Sequence, residues 1–451
     1  MGKRVVVIGG GAAGSSAAAR ARRLDPEAEI TLIERTGMIT HAPCGVPYAI
    51  SGVVPSYRML RTYSPERFAS ERRIRVMTNA TVTSIDVDRK EVEVSLGNGK
   101  VERLGWDALV VATGAKPLIP RSLEGVEEVR PVLLRHPEDV VEAQRRISGA
   151  SRVAVLGGGY IGVEAAEALV DLGKKVTLYE MMDRLLPAAI DAEISRVLEE
   201  SMVRAGVDLR LGQPVRALRK RSDGVAVVTD AGEEVFDEIV MGLGVRPNAD
   251  LAVSAGVKLG QTGAVETDEF MRTNVEGVFA AGDLVEKQHL ILRRKVWIPL
   301  APAANKEGQV AGANAVLPGS LRMRGIVGTA VTKFRQTYVA RTGLSEAEAR
   351  ANGFSVESTV IKARTKAGYY PGGVEVTVKM VAQSGSGRVL GVQVIGDDPV
   401  VAGYVDVAAA AITAGFTVED LFFTDIGYMP ATAPVWHPLI VAARTLSGGR
   451  F

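Results

Sequence analysis

At 451 residues the chain is long enough for about three domains, and its 47% hydrophobic and 24% charged residues are an ordinary globular mix. Lys plus Arg number 54 against 52 Asp plus Glu, and the net charge of +2 gives no case for nucleic acid or an anionic membrane as main partner. A single cysteine, Cys44, excludes an intrachain disulfide; no apolar run reaches the ~18–20 residues of a membrane span, the glycine-rich start is no signal peptide, and a cytoplasmic protein is expected.

Residues 4–9 read as a strand, 14–25 as a helix and 29–34 as a second strand, a βαβ unit with Gly9-x-Gly11-x-x-Gly14 at its first turn. Gly9 permits a tight turn, Gly11 lets a pyrophosphate approach the backbone, and Gly14 allows close helix–strand packing. Glu34 follows about 20 residues later, placed to bind ribose hydroxyls. A glycine turn without a ligand is the plainer alternative, but strand, helix and acid are all in place. Cys44 comes next, in HAPCGVPY at residues 41–48. Gly45 and Pro47 favour a helix start, whose dipole would lower the thiol pKa; an inert thiol is the alternative. Without a second cysteine, this thiol can be oxidised only to a mixed disulfide with a small thiol or to a sulfenic acid.

Residues 107–117, DALVVATGAKP, read as a buried strand ending in a turn. The first pattern then returns, with strand 152–157, helix 161–172 and strand 175–180 around Gly157-x-Gly159-x-x-Gly162, and with Glu180 as the distal acid. A carboxylate there favours the free 2′-hydroxyl of NADH over the 2′-phosphate of NADPH, though Arg184 is near enough to leave both open. Residues 238–247, EIVMGLGVRP, repeat the strand and turn of 107–117, so the two segments look like crossings between domains. Residues 275–283 read as a buried strand ending in Asp283, suited to a ribityl hydroxyl or to a helix N-cap. From about residue 326, strands 329–334, 355–362, 374–382 and 389–394 precede helices 400–414 and 418–421, a separate α+β domain. The Ala-rich stretch 401–415 is expected to be a buried helix. Two dinucleotide sites in one chain point to a tightly held FAD and a transient NAD(P)H, because hydride needs an acceptor in the same protein.

With ATG at residues 112–114, AAGD at 280–283, VWIPLAPAANK at 296–306, YYPGG at 369–373, FFTDIGY at 422–428 and the lone-cysteine HAPCGVPY, the chain resembles the pyridine nucleotide-disulfide oxidoreductases over essentially its whole length. Within them it is most similar to the single-cysteine branch of coenzyme A-disulfide reductases and NAD(P)H sulfur oxidoreductases, archaeal members in particular. The resemblance implies an α/β fold with two Rossmann-like dinucleotide-binding domains and a C-terminal α+β dimerisation domain. The FAD-binding domain would span 1–113 and 245–325, the NAD(P)H-binding domain 114–244, and the dimerisation domain 326–451. FAD contacts are implied for Gly9, Gly11, Gly14, Glu34, Arg35, Val82, Ala112, Asp283 and Ala301. Contacts to the nicotinamide nucleotide, NADH favoured, are implied for Gly157, Gly159, Tyr160, Ile161, Gly162, Glu164, Glu180 and Gly244, with Glu164 near the nicotinamide.

By the same resemblance coenzyme A lies against Ser16, Arg20, Arg23, Thr40, Arg72 and Asn305. Arg20 and Arg23 share a helix face, and guanidinium groups suit phosphates; a solvated basic face is the alternative. A homodimer is implied in which Tyr369 and Tyr428 of one subunit approach the cysteine and flavin of the other, where a phenol can protonate a departing thiolate. Read from the residues alone, both would be packing tyrosines. No metal is expected. The implied reaction is NADH-driven reduction of coenzyme A disulfide through a Cys44–S–S–CoA mixed disulfide. Polysulfide or elemental sulfur is the second candidate acceptor, and oxygen or peroxide through a Cys44 sulfenic acid the third. Ala12 stands where single-cysteine NADH oxidases and peroxidases place a histidine, which disfavours the third. Two further departures are Met429, Pro430 and Ala431 after Tyr428, where the family often shows Ala-Pro-Pro, and Asn305 where some relatives carry histidine.

Overall fold

In the computed structural model, which describes residues 2–450, five parallel strands form the first sheet. Met1 and Phe451, the outer limits of the first and last expected domains, lie outside the described residues. The strand order is Val278–Ala280, Ala108–Val111, Arg4–Ile8, Glu29–Ile33, Arg75–Met77. A parallel sheet is covered on both faces, so its strands are apolar without alternation: Val5, Val6, Val7 and Ile8 are all buried. One face carries the helices Ala12–Leu24 and Ala301–Val316. The other is covered by an antiparallel meander, Ala80–Asp86, Glu91–Leu96 and Val101–Gly105.

The two helices meet backbone to backbone. A Cβ on Gly308 would lie 2.2 Å from the Ala13 carbonyl oxygen, and one on Gly312 would lie 2.1 Å from that of Ala17. Facing them, Ala13, Ala17, Ala18 and Ala21 are buried.

The second sheet repeats the first. Its parallel order is Asp208–Arg210, Lys175–Tyr179, Arg152–Leu156, Glu238–Met241, Val132–Leu133, with the helix Tyr160–Asp171 and a meander of Val215–Arg221, Gly224–Thr229 and Gly232–Phe236. Ala115–Pro117 and Val245–Pro247 pair as a two-stranded antiparallel ribbon where the chain passes between the two sheets.

The C-terminal sheet is antiparallel throughout, in the order Ala330–Phe334, Thr337–Gly343, Val389–Gly396, Glu375–Gln383, Val356–Arg364. The strand Thr337–Gly343 and the helix Pro438–Leu446 were not anticipated from sequence. The helix Val400–Ala414 packs on this sheet, but the expectation that it is buried is corrected to one face. Val401, Tyr404, Val405, Ala408, Ala411 and Ile412 point inward, while Asp406 and Val407 are exposed. The period of 3.6 gives a short helix on a sheet one wet side however apolar its sequence. Gly415, at φ 82°, ends it.

This domain is pinned to the second Rossmann-like domain by charge. Lys379, with its side chain 3% exposed, pairs with Asp191 at 3.3 Å and with Glu193 and Glu346 at 3.0 Å each. Gln393 donates to the same Asp191 at 2.7 Å. Among the described residues no helix is long and apolar enough to cross a membrane.

Candidate active site

Gly9 and Gly157 turn at φ 103° and 102°, a region that side chains avoid. A Cβ on Gly9 would lie 2.2 Å from the Ala112 carbonyl oxygen, and one on Gly14 would lie 1.8 Å from that of Gly9. Gly162 repeats this against Gly157 at 1.8 Å. The middle glycines differ. A Cβ on Gly11 would meet only the His41 ring, at 3.8 Å, and one on Gly159 would meet nothing within 4 Å. The protein itself does not require glycine there; a ligand pressed against the backbone does. Each middle glycine starts a helix, so amide N–H groups and the dipole face that space. The residues present therefore fit a dinucleotide at both loops.

Glu34 and Glu180 are 7% exposed and play matching parts. Glu34 accepts from the Gly10 N–H at 2.8 Å and the Thr36 N–H at 2.9 Å. Glu180 accepts from the Gly158 N–H at 2.7 Å and the Met182 N–H at 2.8 Å. Each carboxylate is thus fastened to the rim of its glycine loop. Ala112 lies beneath Gly9, Arg35 is exposed beside Glu34, and Ala301 is the exposed first residue of its helix. Val82 has its side chain in the core. Tyr160 and Ile161 open the second helix, Gly244 turns at φ 96°, and burial pushes the Tyr160 phenol up to about 12.

Asp283 does not cap a helix. It lies on the 3-10 turn Gly282–Leu284 and pairs with Arg135 at 3.0 Å. Arg135 also donates to the Ala115 carbonyl oxygen at 3.2 Å, joining the turn to the interdomain ribbon.

Cys44 is exposed, on the 3-10 turn Pro43–Gly45 ahead of the helix Val46–Ile50. The expected lowering of its pKa is corrected. Although the residue is open to solvent on one side, the protein packed around it desolvates the thiolate and pushes the thiol up; the charge of Glu164 adds to this, Arg135 opposes it, and Asp283 adds again. A 3-residue turn and a 5-residue helix carry too little dipole to compensate. The preceding segment is held by pairing with residues 60–63: Thr40 accepts from the Tyr63 N–H at 2.8 Å, and the Ala42 N–H donates to Leu60 at 2.8 Å. The His41 ring meets that of His136 at 4.5 Å. Burial, with His136 beside it, holds His41 down at about 4.

The candidate coenzyme A residues gather in two groups. On the paired helices, Ser16 donates to Asn305 at 2.8 Å and Arg23 donates to Gln309 at 2.7 Å. Arg20 lies between them, its Nε buried and without a hydrogen-bond partner among the described residues. A buried donor left unpaired is costly, so this guanidinium fits an anion not present in the chain itself. Thr40 and Arg72 meet at Tyr63, where the Arg72 guanidinium lies 4.5 Å from the ring centre. Arg22 donates to the Arg72 and Arg73 carbonyl oxygens and ties the two groups together.

Tyr369 and Tyr428 hydrogen-bond to each other at 2.9 Å, exposed on the C-terminal domain. That bond raises the Tyr428 pKa.

Sequence reasoning missed Arg135, His136, Gln309, Thr332 and Lys333. Thr332 donates to Glu164 at 2.9 Å and Lys333 pairs with Glu167. Burial pushes Glu164 up to about 7, against the Thr332 hydrogen bond. No local signal marked these residues, because each acts on a partner distant in sequence.

Residues 3–308 match the pyridine nucleotide-disulphide oxidoreductase family and residues 329–439 its dimerisation domain. The chain is 43% identical over 448 residues to the NAD(P)H coenzyme A polysulfide/persulfide reductase of Pyrococcus horikoshii, covering 99% of each chain. Among solved structures it is similar to the NAD-dependent persulfide reductase from A. fulgidus, with TM-score 0.94 and 36% identity over 99% of this chain and 83% of that one. Reduced Bacillus anthracis CoADR-RHD superposes with TM-score 0.95 and 31% identity, over 99% of this chain and 80% of that one. The chain belongs to the pyridine nucleotide-disulphide oxidoreductases, enzymes that work with FAD and NAD(P)H, and its C-terminal domain is that family's dimerisation domain.

Proposed function

We propose that this enzyme uses NAD(P)H, NADH by preference, to reduce coenzyme A disulfide, with Cys44 as the exchanging thiol. The observation that carries the reading is the combination of one exposed cysteine with Arg20, whose Nε lacks a hydrogen-bond partner among the described residues, on the helix that also carries Ser16 and Arg23. Cys44 has no thiol partner in the chain, so its disulfide partner comes from solution. The arginines supply the cations that a thiol carrying phosphates needs.

The Cys44 thiolate attacks one sulfur of the coenzyme A disulfide. The Cys44–S–S–CoA bond forms, the CoA–S–S–CoA bond breaks, and one CoA thiolate leaves. Tyr428 or Tyr369 of a second subunit protonates it; their mutual hydrogen bond and exposure suit a pair completed by a partner. Met429, Val435 and Trp436 are exposed apolar residues on the same domain, available for that partner to cover. Gly9, Gly11, Gly14, Glu34 and Asp283 would hold FAD, whose chemistry there would be to take up hydride from NAD(P)H and pass an electron pair to the mixed disulfide. Glu180, held at the rim of the second loop, favours the free 2′-hydroxyl of NADH. The sum is NADH, a proton and CoA disulfide giving NAD⁺ and two CoA thiols.

A second reading, reduction of coenzyme A persulfide or polysulfide with release of sulfide, is favoured by the name of the Pyrococcus relative. It uses the same thiol and the same cations.

Anaerobic NADH oxidation with each acceptor, following thiol and sulfide release in wild type and Cys44→Ser, tests both. Turnover with CoA disulfide that falls at least ~100-fold in the variant supports the first reading. Sulfide release that matches NADH oxidation, with turnover on the persulfide or polysulfide far above that on CoA disulfide, selects the second. Full activity in Cys44→Ser on either acceptor contradicts both.

A further inference from the structure

The strand Ala330–Phe334 opens the C-terminal domain, yet its side chains reach both the nucleotide helix and the cysteine helix of the same chain. The Thr332 side chain is buried and its hydroxyl donates to Glu164 Oε1 at 2.9 Å. Its neighbour Lys333 pairs with Glu167, which lies on the same helix, Tyr160–Asp171. The same ammonium sits 5.3 Å from the ring centre of Tyr48, on the helix that follows Cys44. Arg335 adds an ion pair to Asp171 at 3.4 Å. Glu164, Glu167 and Asp171 of the nucleotide helix are therefore gripped by one edge strand and the turn that follows it.

We propose that Thr332 is a positioning residue for Glu164, so that the dimerisation domain of each chain orients the carboxylate at the nicotinamide end of that chain's own hydride-transfer site. The proposal rests on the reading of Glu164 as the neighbour of the nicotinamide. A carboxylate on a half-buried helix face has free rotation about its last bonds unless a donor fixes one oxygen. Thr332 fixes Oε1, and the plane of the carboxylate follows.

The groups that face Glu164 are Glu167 on its own helix, Lys333 on the strand, Cys44 and Tyr48 on the cysteine segment, and Tyr160 at the helix start. Glu167 opposes ionisation of Glu164, while Lys333 and the Thr332 hydrogen bond favour it. Loss of the Thr332 hydroxyl removes a bond made to the ionised form, so Glu164 then ionises at higher pH.

The test uses the FAD-loaded enzyme in four forms: wild type, Thr332→Val, Thr332→Ser and Glu164→Gln. NAD⁺ affinity is titrated across pH, because an ionised carboxylate near the nicotinamide favours its positive ring. Flavin reduction by NADH is followed in a single turnover alongside. Thr332→Val is expected to move the midpoint of the affinity profile up by about one pH unit and to slow flavin reduction at neutral pH about tenfold. Thr332→Ser is expected to restore both, and Glu164→Gln to abolish the pH dependence. Should Thr332→Val not fold, the comparison of Thr332→Ala with Thr332→Ser decides on the same terms. A wild-type midpoint and rate in Thr332→Val, with both altered in Glu164→Gln, overturns the positioning role. No change in Glu164→Gln itself overturns the placement of Glu164 and leaves the disulfide chemistry of Cys44 standing.

Discussion

Cys44 sits between opposing charges, and their balance sets its reactivity. Burial and Glu164 disfavour the thiolate, while Arg135 favours it. Glu164→Gln is therefore expected to lower the thiol pKa, and Arg135→Gln to raise it further. Alkylation by iodoacetamide follows the thiolate fraction. At neutral pH it should run several-fold faster in the first variant and several-fold slower in the second, since the thiolate fraction changes about tenfold when the thiol's midpoint moves by one pH unit. Rates equal to wild type in both variants would show that the charges do not reach the sulfur, and the opposite order would contradict the assigned signs. The glycines, the two acids and the cysteine were legible in the sequence because each answers to its immediate neighbours in the chain. The direction in which the thiol pKa moves was not. It comes first from burial in the assembled fold, and then from Glu164 and Asp283, contributed by two other parts of the chain.

At the scale of elements, the helices Ala12–Leu24 and Ala301–Val316 make one unit that carries the candidate coenzyme A residues Ser16, Arg20, Arg23 and Asn305. Their contact leaves no room for a methyl group at Gly312, 2.1 Å from the Ala17 carbonyl oxygen. Gly312→Ala is expected to lower stability by about 1–3 kcal/mol by overpacking and to raise the KM for coenzyme A disulfide by separating Arg23 from Gln309. Denaturant melts and initial rates check the two effects, and an unchanged melt would contradict the close contact. The βαβ units were legible because long apolar strands and glycine turns recur in register. The strand Thr337–Gly343 was not. It follows a turn with Arg335 at φ 53°, without the Gly, Asn or Pro that usually marks a hairpin.

Across the whole molecule, Lys379 holds the dimerisation domain to the nucleotide domain through Asp191 and Glu193, and pairs with Glu346 within its own domain. Burial opposes ionisation of Glu346, but hydrogen bonds from Ser358, Arg350 and Lys379 outweigh it and hold the group at about 2. A carboxylate lowered in this way stabilises the fold above its unfolded pKa, and that contribution is lost as pH falls from about 4.5 toward about 2. Lys379→Met leaves Asp191 buried without its cation and is expected to cost about 3–5 kcal/mol. Its unfolding midpoint at neutral pH should drop, and the gap from wild type should narrow in acid; a constant gap would contradict the charge account. The division into two nucleotide-binding units and an α+β domain was legible from the internal repeat. What joins them was not, because Lys379, Asp191 and Thr332 belong to contacts fixed only by the assembled sheets.

The central claim is that Cys44 carries coenzyme A during turnover. Its most direct test is the mass of the intact protein under denaturing, non-reducing conditions after treatment with coenzyme A disulfide, before and after one equivalent of NADH. The expected result is one coenzyme A per chain, mapped to the Cys44 peptide, removed by NADH and absent in Cys44→Ser. A wild-type protein that turns over coenzyme A disulfide while never acquiring that mass would contradict it.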